Sequence, residues 1–201
     1  MLPSGILAPG GCEDPSISSD GRYVAFFTSS RFLAPDQPFF ADILRWDRLS
    51  GEIVNACVPV QGGRPDYPSR SPMLSADGRY LTFETSASNL TVQPGPPPMV
   101  IWKDMETGAT VVVNEDPQGE PANNWGSQQA ISGDGRSVAF VSKATNLVPG
   151  ASGLVYHVYV RTCDVASPST YCKPAKPPGG CVGRMSFQGA PSATAGSGFE
   201  V

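Results

Sequence analysis

Hydrolysis of the serine type needs an imidazole beside its nucleophile and a third group to orient that imidazole. The sequence holds one histidine, His157, in Val155-Tyr156-His157-Val158, and no Gly-x-Ser-x-Gly elbow accompanies it. His157 therefore reads as a partly exposed residue of a strand or rim, not as a base. Three carboxylates, Asp20, Asp77 and Asp134, each precede a Gly-Arg pair (Gly21, Gly78, Gly135). A ring of carboxylates could hold a cation, but three separate turns cannot converge on one ion whose oxygen ligands lie ~2.3–2.6 Å away. Turn chemistry accounts for them better, because Asp bonds nearby amides and Gly accepts positive φ. The five cysteines, Cys12, Cys57, Cys163, Cys172 and Cys181, show no Cys-x-x-Cys spacing, and one histidine is too few for a zinc set. No catalytic residue, metal site or cofactor is expected, and the chain reads as a non-enzyme.

The acidic turns belong to a repeat. Asp-Gly-Arg begins at residues 20, 77 and 134, two equal steps of 57. Ser18-Ser19-Asp20-Gly21-Arg22-Tyr23-Val24-Ala25-Phe26 returns as Ser75-Ala76-Asp77-Gly78-Arg79-Tyr80-Leu81-Thr82-Phe83, then as Ser132-Gly133-Asp134-Gly135-Arg136-Ser137-Val138-Ala139-Phe140. Ser50-Gly51 and Thr107-Gly108 keep the same step. A fixed period of this length signals a repeat architecture.

Each copy divides into four strands. Asp-Gly predicts a two-residue type I′ hairpin, with strand A ending near Ser18 and strand B starting at Arg22. Strand C follows at Ile43–Trp46, Met99–Trp102 and Val158–Val160, and strand D at Ile53–Ala56 and Thr110–Val113. No capped stripe of 3.6-residue period occurs, so helix content should be very low. In strand B, Tyr23, Ala25 and Phe27 share one face while Val24 and Phe26 share the other. Both faces are apolar, so each sheet must be covered on both sides, as radially stacked blades of a propeller are. The expected fold is all-β: three four-stranded antiparallel propeller blades in an open arc or a fragment of a larger propeller. The boundaries are a lead at 1–12, blades at 13–60, 61–117 and 118–187, and a tail or further blade at 188–201. Val24, Phe26, Leu81, Phe83, Val138 and Phe140 recur at fixed offsets from the turns and are expected in the core. Arg22, Arg79 and Arg136 should lie on neighbouring aromatics and pair at the blade edge, and Trp46 and Trp102 should pack between blades.

The string Ser-x-Asp-Gly-Arg-Tyr-Val-Ala-Phe, with Ala144-Thr145-Asn146-Leu147-Val148-Pro149-Gly150 and Tyr159-Val160-Arg161, resembles the TolB-type, WD40-like propeller repeats of bacterial proteins over roughly residues 13–165. The resemblance implies the fold; blades of this kind serve many functions. Cys163 and Cys172 bracket the expected C–D hairpin of the third copy, where related repeats often carry a similar pair, and a disulfide is expected there. Such a set of cysteines points to an oxidising, extracytoplasmic compartment. Asn89-Leu90-Thr91 is a glycosylation sequon of the kind that arises by chance.

Composition narrows the partners. The 201 residues include 14 Lys and Arg against 18 Asp and Glu, scattered and netting −4, which disfavours nucleic-acid binding. No window reaches the ~18–20 apolar residues of a membrane-spanning helix, and residues 1–12 lack the basic start and apolar stretch of a signal peptide. A closed propeller has ~4–8 blades, so three copies predict a fragment that meets further blades or self-associates. The expected function is a non-catalytic scaffold for a protein, peptide or glycan. The alternative is the propeller portion of a larger enzyme, such as a peptidase, with its catalytic domain outside this chain.

Overall fold

The computed structural model describes residues 10–30, 42–92, 94–116 and 118–163. These form three antiparallel sheets and no helix among the described residues, hence none long and apolar enough to cross a membrane. The first sheet is β1 (Cys12–Ile17), β2 (Tyr23–Thr28), β3 (Asp42–Asp47) and β4 (Ile53–Asn55), paired in chain order. The second repeats this order with β5 (Ser69–Leu74), β6 (Tyr80–Thr85), β7 (Met99–Asp104) and β8 (Thr110–Val112). The third has β9 (Gly126–Ile131), β10 (Ser137–Ser142) and β11 (His157–Thr162). Its expected fourth strand, Cys172 with the expected Cys163 bridge, and residues 188–201 lie outside the described residues.

The turns depart from the type I′ expectation. That turn needs positive φ at both central residues, yet only the glycines adopt it, at 70° (Gly21), 71° (Gly78) and 73° (Gly135). Each turn is closed by the glycine N–H on the carbonyl three residues back, as Gly21 on Ser18 (2.9 Å). The serine hydroxyl explains the longer loop. Ser18 Oγ donates to Asp20 (2.6 Å) and accepts from the Tyr23 amide (2.9 Å), while Asp20 accepts from the Arg22 amide (2.9 Å). Ser75 with Asp77 and Ser132 with Asp134 repeat the set. Strand B therefore starts one residue later, at Tyr23, Tyr80 and Ser137.

The sheets stack face to face. One core lies between the first and second and includes Ala25, Phe27, Ile43, Leu81, Phe83 and Ile101. The other lies between the second and third and includes Tyr80, Val100, Trp102, Val138, Phe140 and Tyr159. All six residues of β7 are buried, as covering on both sides requires. Of the expected core residues, Leu81, Phe83, Val138 and Phe140 are buried, whereas Val24 and Phe26 are only half-buried. Their offset faces the preceding sheet, and no described sheet precedes the first. Ala25 and Phe27, one pleat over, fill the core instead.

A clamp joins consecutive sheets. Tyr23 lies against Gly78 so closely that a Cβ there would sit 2.4 Å from its ring, and Tyr80 covers Gly135 at 2.0 Å. Above each tyrosine a strand-C donor reaches the same glycine carbonyl: Arg45 Nη1 to Gly78 O (2.9 Å) and Trp102 Nε1 to Gly135 O (2.8 Å). Backbone bonds from Ser19 N–H to Ala76 O and from Ala76 N–H to Gly133 O, both 2.8 Å, run alongside. Trp102 is thus a packing residue, stacked on Tyr80 at 5.1 Å. Arg22 and Arg79 lie over Tyr23 and Tyr80 and pair with Asp47 and Asp104 (both 2.7 Å), as expected. Arg136 departs from the expectation, because its sheet has Ser137 in place of the tyrosine and Thr162 in place of the aspartate.

Gly135→Ala should cost about 3 kcal/mol or more in urea denaturation, since strain and a clash with Tyr80 combine, whereas Gly21→Ala should cost about 1 kcal/mol. Equal losses would show that the tyrosine does not pack on the turn. Phe83→Ala should cost roughly 3–5 kcal/mol and Phe26→Ala roughly 1–2 kcal/mol, in line with their burial. A Phe26 loss as large as that of Phe83 would place another sheet against the first.

Candidate functional site on the inner edge

The main contacts between sheets all engage the first strand of the following sheet, so β1, β5 and β9 gather along the inner edge of the arc. Each of these strands bulges, with two residues opposing one phenylalanine of strand B: Phe26, Phe83 or Phe140. The leading residue of each bulge, Asp14, Ser71 or Gln128, has a φ of 52°, 54° or 52°. A non-glycine residue in this region carries strain of about 1–3 kcal/mol, and such strain collects at ligand clamps and switches. Its recurrence at a 57-residue step makes it a built feature of the edge.

Side chains of adjacent sheets hold the bulges at Ser71 and Gln128. Asp14 Oδ2 accepts from the Ser71 amide (3.2 Å), and Glu84 Oε1 accepts from the Gln128 amide (2.6 Å). Gln129 Nε2 donates to the Ser71 carbonyl, and Ser16 Oγ accepts from the Leu74 amide (3.0 Å). A cleft of about 310 Å³ opens among Asp14, Ser71, Met73, Glu84, Gln128 and Gln129. Gln129 is 6% exposed, and its Oε1 has no hydrogen-bond partner. Two carboxylates and a spare amide oxygen make the cleft rich in acceptors, which suits a ligand that donates hydrogen bonds.

The residues singled out in the sequence lie elsewhere. Asp20, Asp77 and Asp134 each occupy a separate turn, as turn chemistry requires. His157 opens β11, is mostly buried, and meets Tyr159 edge-on at 6.2 Å. The expected partly exposed histidine is therefore corrected, because strand pairing with Ser142 draws it in. Trp46 is half-buried on the outer face of the first sheet. Asn89 of the sequon donates Nδ2 to Arg64 O (2.6 Å), as Asn146 donates to Pro121 O (3.0 Å) one repeat later. The triplet is thus a loop tie that recurs where no sequon exists. Cys12 and Cys57 are free thiols, and burial pushes that of Cys57 up to about 12.

Three fanned, face-packed antiparallel sheets with first strands along one edge define a run of β-propeller blades. The sequence matches no protein-family model and no curated protein. Among solved structures it is similar to TolB from Acinetobacter baumannii (17% identity, TM-score 0.45), over 77% of this chain and 30% of that one. A structure described as TolB from Agrobacterium tumefaciens shares 20% identity (TM-score 0.41) over 78% and 46% of the two chains. The tricorn protease shares 13% identity (TM-score 0.49) over 79% and 14%. The chain spans less than half the length of each. These likenesses concern fold alone, and the propeller assignment stands on the sheets themselves.

One buried carboxyl outside the cleft gives a pH signature. Asp42 opens β3, is 1% exposed, accepts among the described residues only from Asn55 Nδ2 (3.2 Å), and is pushed up to about 6 by burial. A folded-state value above the ordinary carboxylate value of 3.8 means that the folded chain holds this proton more tightly. That contribution is complete below the ordinary value and is lost as pH rises through about 6. Asp42→Asn should therefore stabilise the protein by roughly 2–3 kcal/mol at pH 7.5 and by less than about 1 kcal/mol at pH 4, in urea titrations. A gain independent of pH would mean that Asp42 is not a buried acid.

Proposed function

We propose that this chain is a non-catalytic propeller scaffold that binds a polypeptide segment across its inner edge. The observation that carries this reading is the strained bulge repeated at Asp14, Ser71 and Gln128, which gathers acceptors from adjacent sheets around one cleft. An extended peptide offers a row of N–H donors and, at lysine or arginine, a cation for Asp14 and Glu84. Rigid sheets beneath the cleft limit the ordering cost of binding. The cysteine content supports an extracytoplasmic setting for this scaffold.

Peptides selected from a random library on the intact chain should bind roughly tenfold more weakly to Asp14→Ala and Glu84→Gln, with Glu52→Gln, in the β3–β4 turn, unchanged. Selected peptides indifferent to both inner-edge variants would overturn the reading.

A further inference from the structure

A second cleft, of about 570 Å³, lies at the outer strands of the first two sheets and is lined by Val54, Val58, Val60, Met105, Lys103 and Thr110, among others. Lys103 is 6% exposed. Its Nζ donates to Thr110 Oγ1 (2.9 Å) and Gly108 O (3.4 Å), both neutral, and no carboxylate among the described residues pairs with it. Burial lowers its pKa. An ammonium held this deeply without a counter-charge is costly unless an anion joins it.

The repeat shows which group is missing. Lys103 stands opposite Leu81 as Arg161 stands opposite Val138 one sheet later. Arg161 meets Glu115 of the preceding sheet's loop: Nη1 donates to the Glu115 carbonyl (2.6 Å), and Nη2 lies 3.7 Å from its carboxylate. One repeat before Glu115 is Val58, which lines the cleft beside Lys103. The same place between sheets thus holds a cation and a carboxylate at one interface, and a cation and a valine at the other.

We propose that this cleft binds a small aliphatic carboxylate. Its carboxylate takes the place that Glu115 fills at the next interface, against Lys103 Nζ, and its chain lies along Val54, Val58, Val60 and Met105. The volume falls within the ~300–1,000 Å³ of ordinary ligand pockets.

The test is a titration of the full chain with hexanoate and with hexanol, followed by the Met105 methyl resonance and by calorimetry. Hexanoate should bind saturably, and hexanol at least about tenfold more weakly. Val58→Glu rebuilds the internal pair on a half-exposed residue and should abolish hexanoate binding with the fold intact, as read by circular dichroism. Lys103→Gln removes the ammonium and should do the same. Absence of saturable hexanoate binding, equal binding of hexanol, or undiminished binding by a folded Val58→Glu or Lys103→Gln protein would each overturn the proposal. If neither variant folds, the comparison of hexanoate with hexanol still decides. Failure here leaves the inner-edge reading untouched, since no residue is shared between the two clefts.

Discussion

Stacking of the sheets depends on one missing atom per repeat. The glycine of each interior Asp-Gly-Arg turn must lack a Cβ, because the tyrosine of the preceding sheet occupies that space. Once the ring lies there, the backbone of Ala76 comes within bonding distance of Ser19 and Gly133, and Arg45 or Trp102 closes over the turn carbonyl. The aspartate and serine hold the turn in shape from within its own sheet. The turn therefore has two duties. It reverses the chain within a sheet and provides the socket for the sheet before it.

That socket also sets the inner edge. With consecutive turns locked together, the first strands are held side by side, close enough for Asp14 and Glu84 to cap amides in the following sheet. The bulges at Ser71 and Gln128 are each held by a carboxylate of the sheet before them. The outermost faces differ in chemistry from the interior ones. The Gly21 carbonyl accepts from Arg48 of its own sheet (2.7 Å), and the third sheet carries Ser137 and Val160 where the clamp has tyrosine and a donor.

Features that depend on residue identity were legible in the sequence. Asp-Gly-Arg repeats letter for letter because Asp bonding, glycine φ and the arginine pair each admit few substitutes, and that period alone yields three sheets. Features that depend on geometry were not. Asp14, Ser71 and Gln128 share no chemistry, only a backbone angle, so a search by residue type passes over them although Pro15 and Pro72 keep the step. Arg45 and Trp102 look unrelated, yet each delivers one N–H to the equivalent turn carbonyl, that of Gly78 or Gly135. The burial of Val24 and Phe26 depends on whether a sheet lies before the first, which no local pattern encodes. The type I′ expectation failed because Ser18 contributes a hydroxyl bond that a dipeptide rule does not count.

Repeat proteins allow a comparison that single-copy folds do not, because each position has internal controls. Where copies agree, as at the turn glycines, the residue serves the frame. Where copies differ but do the same task, as with Arg45 and Trp102, the task serves the frame and the residue is free to vary. Where one copy keeps half of a pair and drops the other half, the frame does not explain the remnant. Lys103 is such a remnant. Its sheet stacks on the first through Tyr23 and Gly78 whether or not an ammonium is buried there, and a valine stands where the next interface supplies a carboxylate. A buried charge that the stacking does not need, and that no carboxylate among the described residues neutralises, is a place an anion from outside would complete.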